Sequence, residues 1–269
     1  MIDASTEKGS YNWLTALPLQ RYDYYLDKRV FWDSVRLRYN LPLLRLPEKC
    51  VCSSDFNVEH ALNCKKGGLV SNRHNAVRDL TSSLLSEVCK DVETEPLLET
   101  LTGETLQRSA KLDDNARVDV AARGFWVKGQ RAFFDVKVFN PLARTYRFQS
   151  LSKVHVKHES EKKRAYNERI GKVDNGSFTP LVFSSLGGMG RECDIFFSKL
   201  SSKLSEKRQV TKAEASTFVR TKLSFALAKA TNLCIRGSRS WKEKRLLSAL
   251  DEIDISVAVE ESECASEEH

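Results

Sequence analysis

The chain has 269 residues, 41 % hydrophobic and 29 % charged, a globular mixture long enough to bury a sizeable core, on a scale of roughly 100–200 residues per domain. No apolar run reaches the roughly 18 residues of a membrane-spanning helix, the opening MIDASTEKGS lacks the basic-then-apolar layout of a secretory signal, and seven scattered cysteines argue against a disulfide scaffold. Lys and Arg number 43 against 36 Asp and Glu, a net of +7, and the stretch from Asp251 to His269 holds eight acidic groups and no Lys or Arg, so residues 1–250 carry +15 and favour an anionic partner, nucleic acid first.

In chain order, residues 11–47 read as helical and aromatic-rich, with Leu26, Val30, Phe31 and Val35 near helical spacing and Pro42 and Pro47 as breakers. A Cys/His segment at 50–64 follows, then a helix over about 73–90 whose Val77, Leu80, Leu84, Leu85 and Val88 share a face. The period then shortens. Strands are predicted at 92–98, 116–123 and 131–140, the last stopped by Pro141, with Gly124 and Lys128-Gly129 allowing a hairpin between the second and third. A charged helix over 153–170, a strand at 178–185, and helices at 191–207 and 212–235 complete the order. The acidic stretch from 251 reads as a solvated tail.

Cys50, Cys52, His60 and Cys64 give C-x-C-x7-H-x3-C, three soft thiolates and an imidazole suited to tetrahedral structural zinc. His60 and Cys64 stand at i and i+4, on one face of a helical turn. The bland alternative is reduced thiols without metal. Lys65 and Lys66 directly after it are candidate phosphate contacts, with Gly67-Gly68 as a linker.

The second constellation is Asp119 in one predicted strand and Asp135-Val136-Lys137 in the next. Strand alternation sets Asp135 and Lys137 on one face. A hairpin brings the two carboxylates together as a hard-oxygen site for Mg²⁺ or Mn²⁺, with the Val136 carbonyl as a third ligand. Lys137 then orients water or offsets charge on the phosphate. Without that context, D-x-K is an ordinary salt bridge. Glu159, Lys162, Lys163 and Tyr166 share a face of the following helix, where Lys162 and Tyr166 support the scissile phosphate. Arg73-His74 open the earlier helix as a phosphate clamp, with Arg78 and Asp79 behind them. His155 and His158 read as ordinary surface residues. Gly187-Gly188-x-Gly190 lacks the Gly-Lys-Ser/Thr ending of a nucleotide loop and reads as a strand-to-helix turn.

The order Cys50-x-Cys52…His60…Cys64, Arg73-His74-Asn75, Val118-Asp119, Asp135-Val136-Lys137 resembles the C-terminal part of non-long-terminal-repeat retrotransposon proteins that carry a restriction-like endonuclease of the PD-(D/E)xK class. The resemblance covers about residues 50–185. It implies an α/β (α+β) fold with a central mixed sheet flanked by helices, metal-dependent DNA cleavage, and a zinc knuckle that assists nucleic-acid binding. Val118 stands where that family has Pro before the first Asp, and its working Lys often lies further on, which leaves Lys137, Lys162 and Lys163 as candidates. No Tyr/Phe-x-Asp-Asp polymerase signature is present.

The expected organisation is a helical segment 1–49, the knuckle 50–68, a nuclease domain 69–208, C-terminal helices 209–250 and the tail 251–269. The expected function is a retrotransposon-derived DNA endonuclease, intracellular and, following a DNA partner, nuclear. The alternatives are an inactive nucleic-acid-binding protein of the same fold and a protein-interaction module built on the N-terminal aromatics and the acidic tail.

Overall fold

A computed structural model of the chain describes Glu7 and residues 9–239. The acidic stretch 251–269, and residues 240–250 of the expected C-terminal helices, lie outside the described residues. The elements are α1 (Lys28–Arg38), the short α2 (Val58–Ala61), α3 (Leu69–Ser86), β1 (Lys90–Thr94), β2 (Val120–Arg123), β3 (Arg131–Phe139), α4 (Leu151–Lys172), β4 (Ser177–Ser184), α5 (Arg191–Arg208) and α6 (Lys212–Arg236). Among the described residues, no helix is long and apolar enough to cross a membrane.

The four strands form one mixed sheet in the order β1-β2-β3-β4. β1–β2 and β2–β3 are antiparallel and β3–β4 is parallel. A parallel neighbour requires a crossover, and α4 supplies it. Alternation along β3 sorts the two faces. Phe134 and Val136 join Leu84 and Leu85 of α3, Phe196 and Phe197 of α5 and Val219 and Leu223 of α6 in the main core. Phe133 and Phe139 meet the other face, covered by Tyr166 and Ile170 and by Leu151 and Val154 of α4. Helices therefore flank both faces of a mixed sheet, as expected.

Two strand predictions shift. The first begins at Lys90 and ends at Thr94, and Leu97 makes only an isolated bridge to Arg117. The second begins at Val120, because residues 95–119 form a long irregular connection. Arg169 of α4, fully buried, pins that connection by donating to the carbonyls of Glu99, Lys111 and Asp113 at 3.0, 2.8 and 2.7 Å.

The N-terminal residues and α6 share a core. Trp13 and Tyr24 pack on Phe225, and Asp33 accepts from Arg236 at 2.6 and 2.8 Å. Ala61 and Leu62 of the Cys/His segment pack with Leu69, Cys234 and Ile235.

Candidate metal centre and acidic site

The Cys/His segment folds as a tight turn followed by α2. Ser53, at φ +68°, donates to the Cys50 carbonyl at 2.8 Å, and Cys50 N donates to Ser54 O at 2.9 Å. This left-handed turn lets Cys50 and Cys52 face one point despite a single intervening residue. Asn57 caps α2 by accepting from His60 N at 2.8 Å, and Cys64 N donates to His60 O at 2.8 Å, which presents His60 and Cys64 one turn apart. The Sγ atoms of Cys50, Cys52 and Cys64 and a ring nitrogen of His60 all lie within 4.8 Å of one another. Cys52 Sγ is 3.3 Å from His60 Nε2. Hydrogen bonds from Ser54 pull the Cys52 thiol down to about 6, into thiolate territory. This is a Cys3His cluster able to hold one metal ion and consistent with structural zinc.

The acidic site forms where β3 outruns β2. Their pairing stops at Val120↔Phe134, while β3 continues to Phe139 against β4 alone. Asp119, one residue before β2, takes the place of a strand partner: its Oδ2 accepts from Val136 N at 2.6 Å. Its Oδ1 lies 2.9 Å from His74 Nε2 of α3. Arg78, one turn on, pairs with Glu95 and with Asp79, and the Asp119 charge is among those that hold its guanidinium above the ordinary value.

Asp135 is 4 % exposed. Lys162 Nζ of α4 stands 2.5 Å from its Oδ2, so the buried carboxylate is ion-paired. Burial pushes the Asp135 carboxyl up to about 6; the Lys162 charge opposes this and the Asp119 charge adds to it. Burial pushes Lys162 down, yet it rises above its ordinary value because Asp135, together with Tyr166 and Asp119, opposes that burial. Tyr166 is raised by burial and then by the Asp135 charge, and its ring centroid is 5.9 Å from Lys162 Nζ.

The structure thus brings Asp119, Asp135, Lys162, Tyr166 and His74 together. Lys137 shares the α4-facing side of β3 with Asp135, but its charge bears on His158 and Glu161, and it has no ion pair among the described residues. Lys163 leaves the site to pair with Glu192 at 2.6 Å. Lys65 and Lys66 are exposed, as a phosphate contact requires.

Two expectations are corrected. Arg73 is no phosphate clamp: it falls on the α3 face of Leu69 and Val77, is 2 % exposed, and donates to the Leu62 carbonyl at 3.2 Å. His155 and His158 are not surface residues. His155 is bound to Glu7 at 2.8 Å and His158 to the Tyr146 hydroxyl at 2.9 Å, both packed on Phe139. Sequence reasoning also missed the pairing of His74 with Asp119. The i, i+4 spacing of His74 and Arg78 on the helix before the strands was the available signal. No protein-family model matches the chain, and no curated protein matches it.

Proposed function

We propose that the chain is a divalent-metal-dependent DNA endonuclease, of retrotransposon origin, that hydrolyses phosphodiester bonds. The observation that carries this reading is the convergence of Asp119 and Asp135 on the open edge of β3, with Lys162 on one carboxylate and His74 on the other. A helix, a three-strand meander, a crossover helix and a parallel fourth strand are the order expected of a restriction-endonuclease-like core. A DNA substrate implies nuclear residence, and the Cys3His cluster is read as a structural zinc site.

The donor set fits a hard cation: two carboxylates whose charges bear on one another, one of them almost fully buried. The Val136 N–H faces the open edge, and an extended residue presents its N–H and C=O on the same edge, so its carbonyl is available as a third ligand. When bound there, Mg²⁺ or Mn²⁺ supplies Lewis acidity at the phosphate and an acidified water. Asp119 and Asp135 hold that charge. His74 and the Val136 N–H fix the Asp119 carboxylate. Lys162 keeps a positive charge at the site for the negative charge that builds on the phosphate, and Tyr166 walls its other side. Lys137, one alternation further along β3, meets the flanking nucleotide backbone.

Supercoiled-plasmid nicking tests the reading. The expected result is nicking that requires Mg²⁺ or Mn²⁺ and falls at least about 100-fold in Asp135→Ala and Asp119→Ala, with unchanged circular dichroism. Equal nicking by the variants removes the assignment. The second reading, an inactive nucleic-acid-binding protein of the same fold, is favoured by the Lys162–Asp135 pair, which neutralises the carboxylate without a metal. Salt-sensitive DNA binding with no cleavage in either metal selects it.

A further inference from the structure

Between Val136 and His158 the chain carries Lys137, Arg144, Arg147, Lys153 and Lys157 and not one Asp or Glu. The last four are exposed. In their midst Phe148 is 94 % exposed, with the Arg147 guanidinium 5.8 Å from its ring centroid. The backbone around it is fixed. Tyr146 N donates to Ala143 O and Gln149 N to Tyr146 O, both at 2.9 Å. The Tyr146 ring packs on Phe139 at 5.6 Å, and Ser150 caps α4 immediately after. Arg144 leans on Glu59 beside the Cys/His cluster at 3.4 Å. A groove of about 690 Å³ is lined by Pro141, Arg144, Tyr146 and by the chain neighbours of Phe148, Arg147 and Gln149.

The loop thus holds one aromatic ring out in water, on a short anchored segment with Arg147 beside the ring and further cations on either side of it along the chain. Cations alone suit any polyanion, and a lone exposed ring suits nothing in particular. Together they match an unpaired nucleotide, which offers a π-face to stack and a phosphate to neutralise. A duplex hides its base faces and engages only the cations. The position fits too, because β3 leads from Asp135 through Lys137 directly into this loop, and α4 returns through Lys153 and Lys157 towards Lys162.

We propose that residues 141–157 bind unpaired nucleotides beside the bond to be cut, with Phe148 stacked on a base and Arg147, Lys153 and Lys157 on the flanking phosphates. This rests on the nuclease reading and names the form of its substrate: a locally unpaired strand.

The test is fluorescence anisotropy on the full chain, zinc-replete and without added magnesium, against labelled oligothymidine and a mixed-sequence duplex. Phe148→Ala is expected to weaken single-strand binding about tenfold and duplex binding less than about twofold, while Phe148→Tyr stays within about twofold of the parent. Lys153→Ala and Lys157→Ala are each expected to lower the salt slope by about 0.7 on the single strand. An unchanged single-strand affinity in Phe148→Ala overturns the inference. So does an equal loss on both probes, or a Phe148→Tyr variant as weak as Phe148→Ala. Absent nicking with the Phe148 effect intact removes the hydrolytic reading alone, and nicking without a Phe148 effect removes this inference alone.

Discussion

Asp135 spends stability to keep a carboxyl out of water. Its folded pKa, about 6, lies above the ordinary 3.8, so between those values the folded chain holds a proton that the unfolded chain has lost. The contribution of this group to stability therefore falls as pH rises from about 4 to 6 and is level above. Asp135→Asn, which mimics the protonated form, is expected to match the parent near pH 4 and to melt higher at pH 7, measured by thermal denaturation with zinc and no magnesium. A variant that melts lower at pH 7 contradicts this. At this scale the sequence was only partly legible. Asp135, Lys162 and Tyr166 stand where alternation and helical spacing put them, because those periods are local, whereas Asp119 lies one residue before β2 and not inside a strand as expected. Arg73 and Arg169 were illegible, since a guanidinium buried on backbone carbonyls has no signature in spacing. Arg169→Leu leaves three carbonyls without their donor, at about 1–3 kcal/mol each if they stay dry, so urea denaturation of this variant is expected to show a large loss of stability.

At the scale of elements, the sequence signals worked where one face of a helix or strand is buried. β3, β4, α5 and α6 fall within a residue or so of expectation because each carries a continuous apolar pattern. β1 and β2 shifted because the connection between them is extended and apolar in places, with Leu98, Ala116 and Val118 buried, yet its carbonyls bind Arg169 instead of a strand. Two elements are tuned by close approach. Gly176, in the turn before β4, lies where an added Cβ would be 2.6 Å from the Phe133 ring and 2.9 Å from the Arg131 carbonyl. Gly176→Ala is expected to cost about 1–3 kcal/mol by denaturant titration, since backbone on one side cannot yield. The Cys/His turn is the other. The parent is expected to carry one zinc per chain by elemental analysis. Cys64→Ser is expected to lose it and to melt lower, because Ala61 and Leu62 are seated between the donors and the core. A full zinc complement in Cys64→Ser refutes the ligand set.

For the whole molecule, the proposed binding of DNA rests on net charge more than on any one contact. The body of residues 1–250 is +15, and residues 251–269 bring the net to +7. Removing 251–269 is expected to tighten duplex binding at low salt and to steepen its dependence on salt, read from anisotropy titrations over a range of NaCl concentrations. Unchanged affinity and slope would show that the acids do not compete with DNA. The sequence revealed this asymmetry by counting alone. It did not reveal that α6 joins both earlier segments: aromatic residues before α1 cluster with Phe225, and Ala61 and Leu62 of the Cys/His segment with Cys234 and Ile235, long-range matches that no local window contains.

The Asp33–Arg236 pair ties residues some two hundred positions apart, and Trp13 N reaches Ser224 Oγ at 3.2 Å. Such closures carry a high loop entropy and come late on the folding pathway. During synthesis, α6 leaves the ribosome after every other described element, so until then Leu69 and Leu62 stay uncovered and the nascent chain is adhesive. A gene fragment ending at residue 208 is therefore expected to aggregate rather than fold, and refolding of the 269-residue chain to be limited by the docking of α6 on the segment around Trp13 and Asp33.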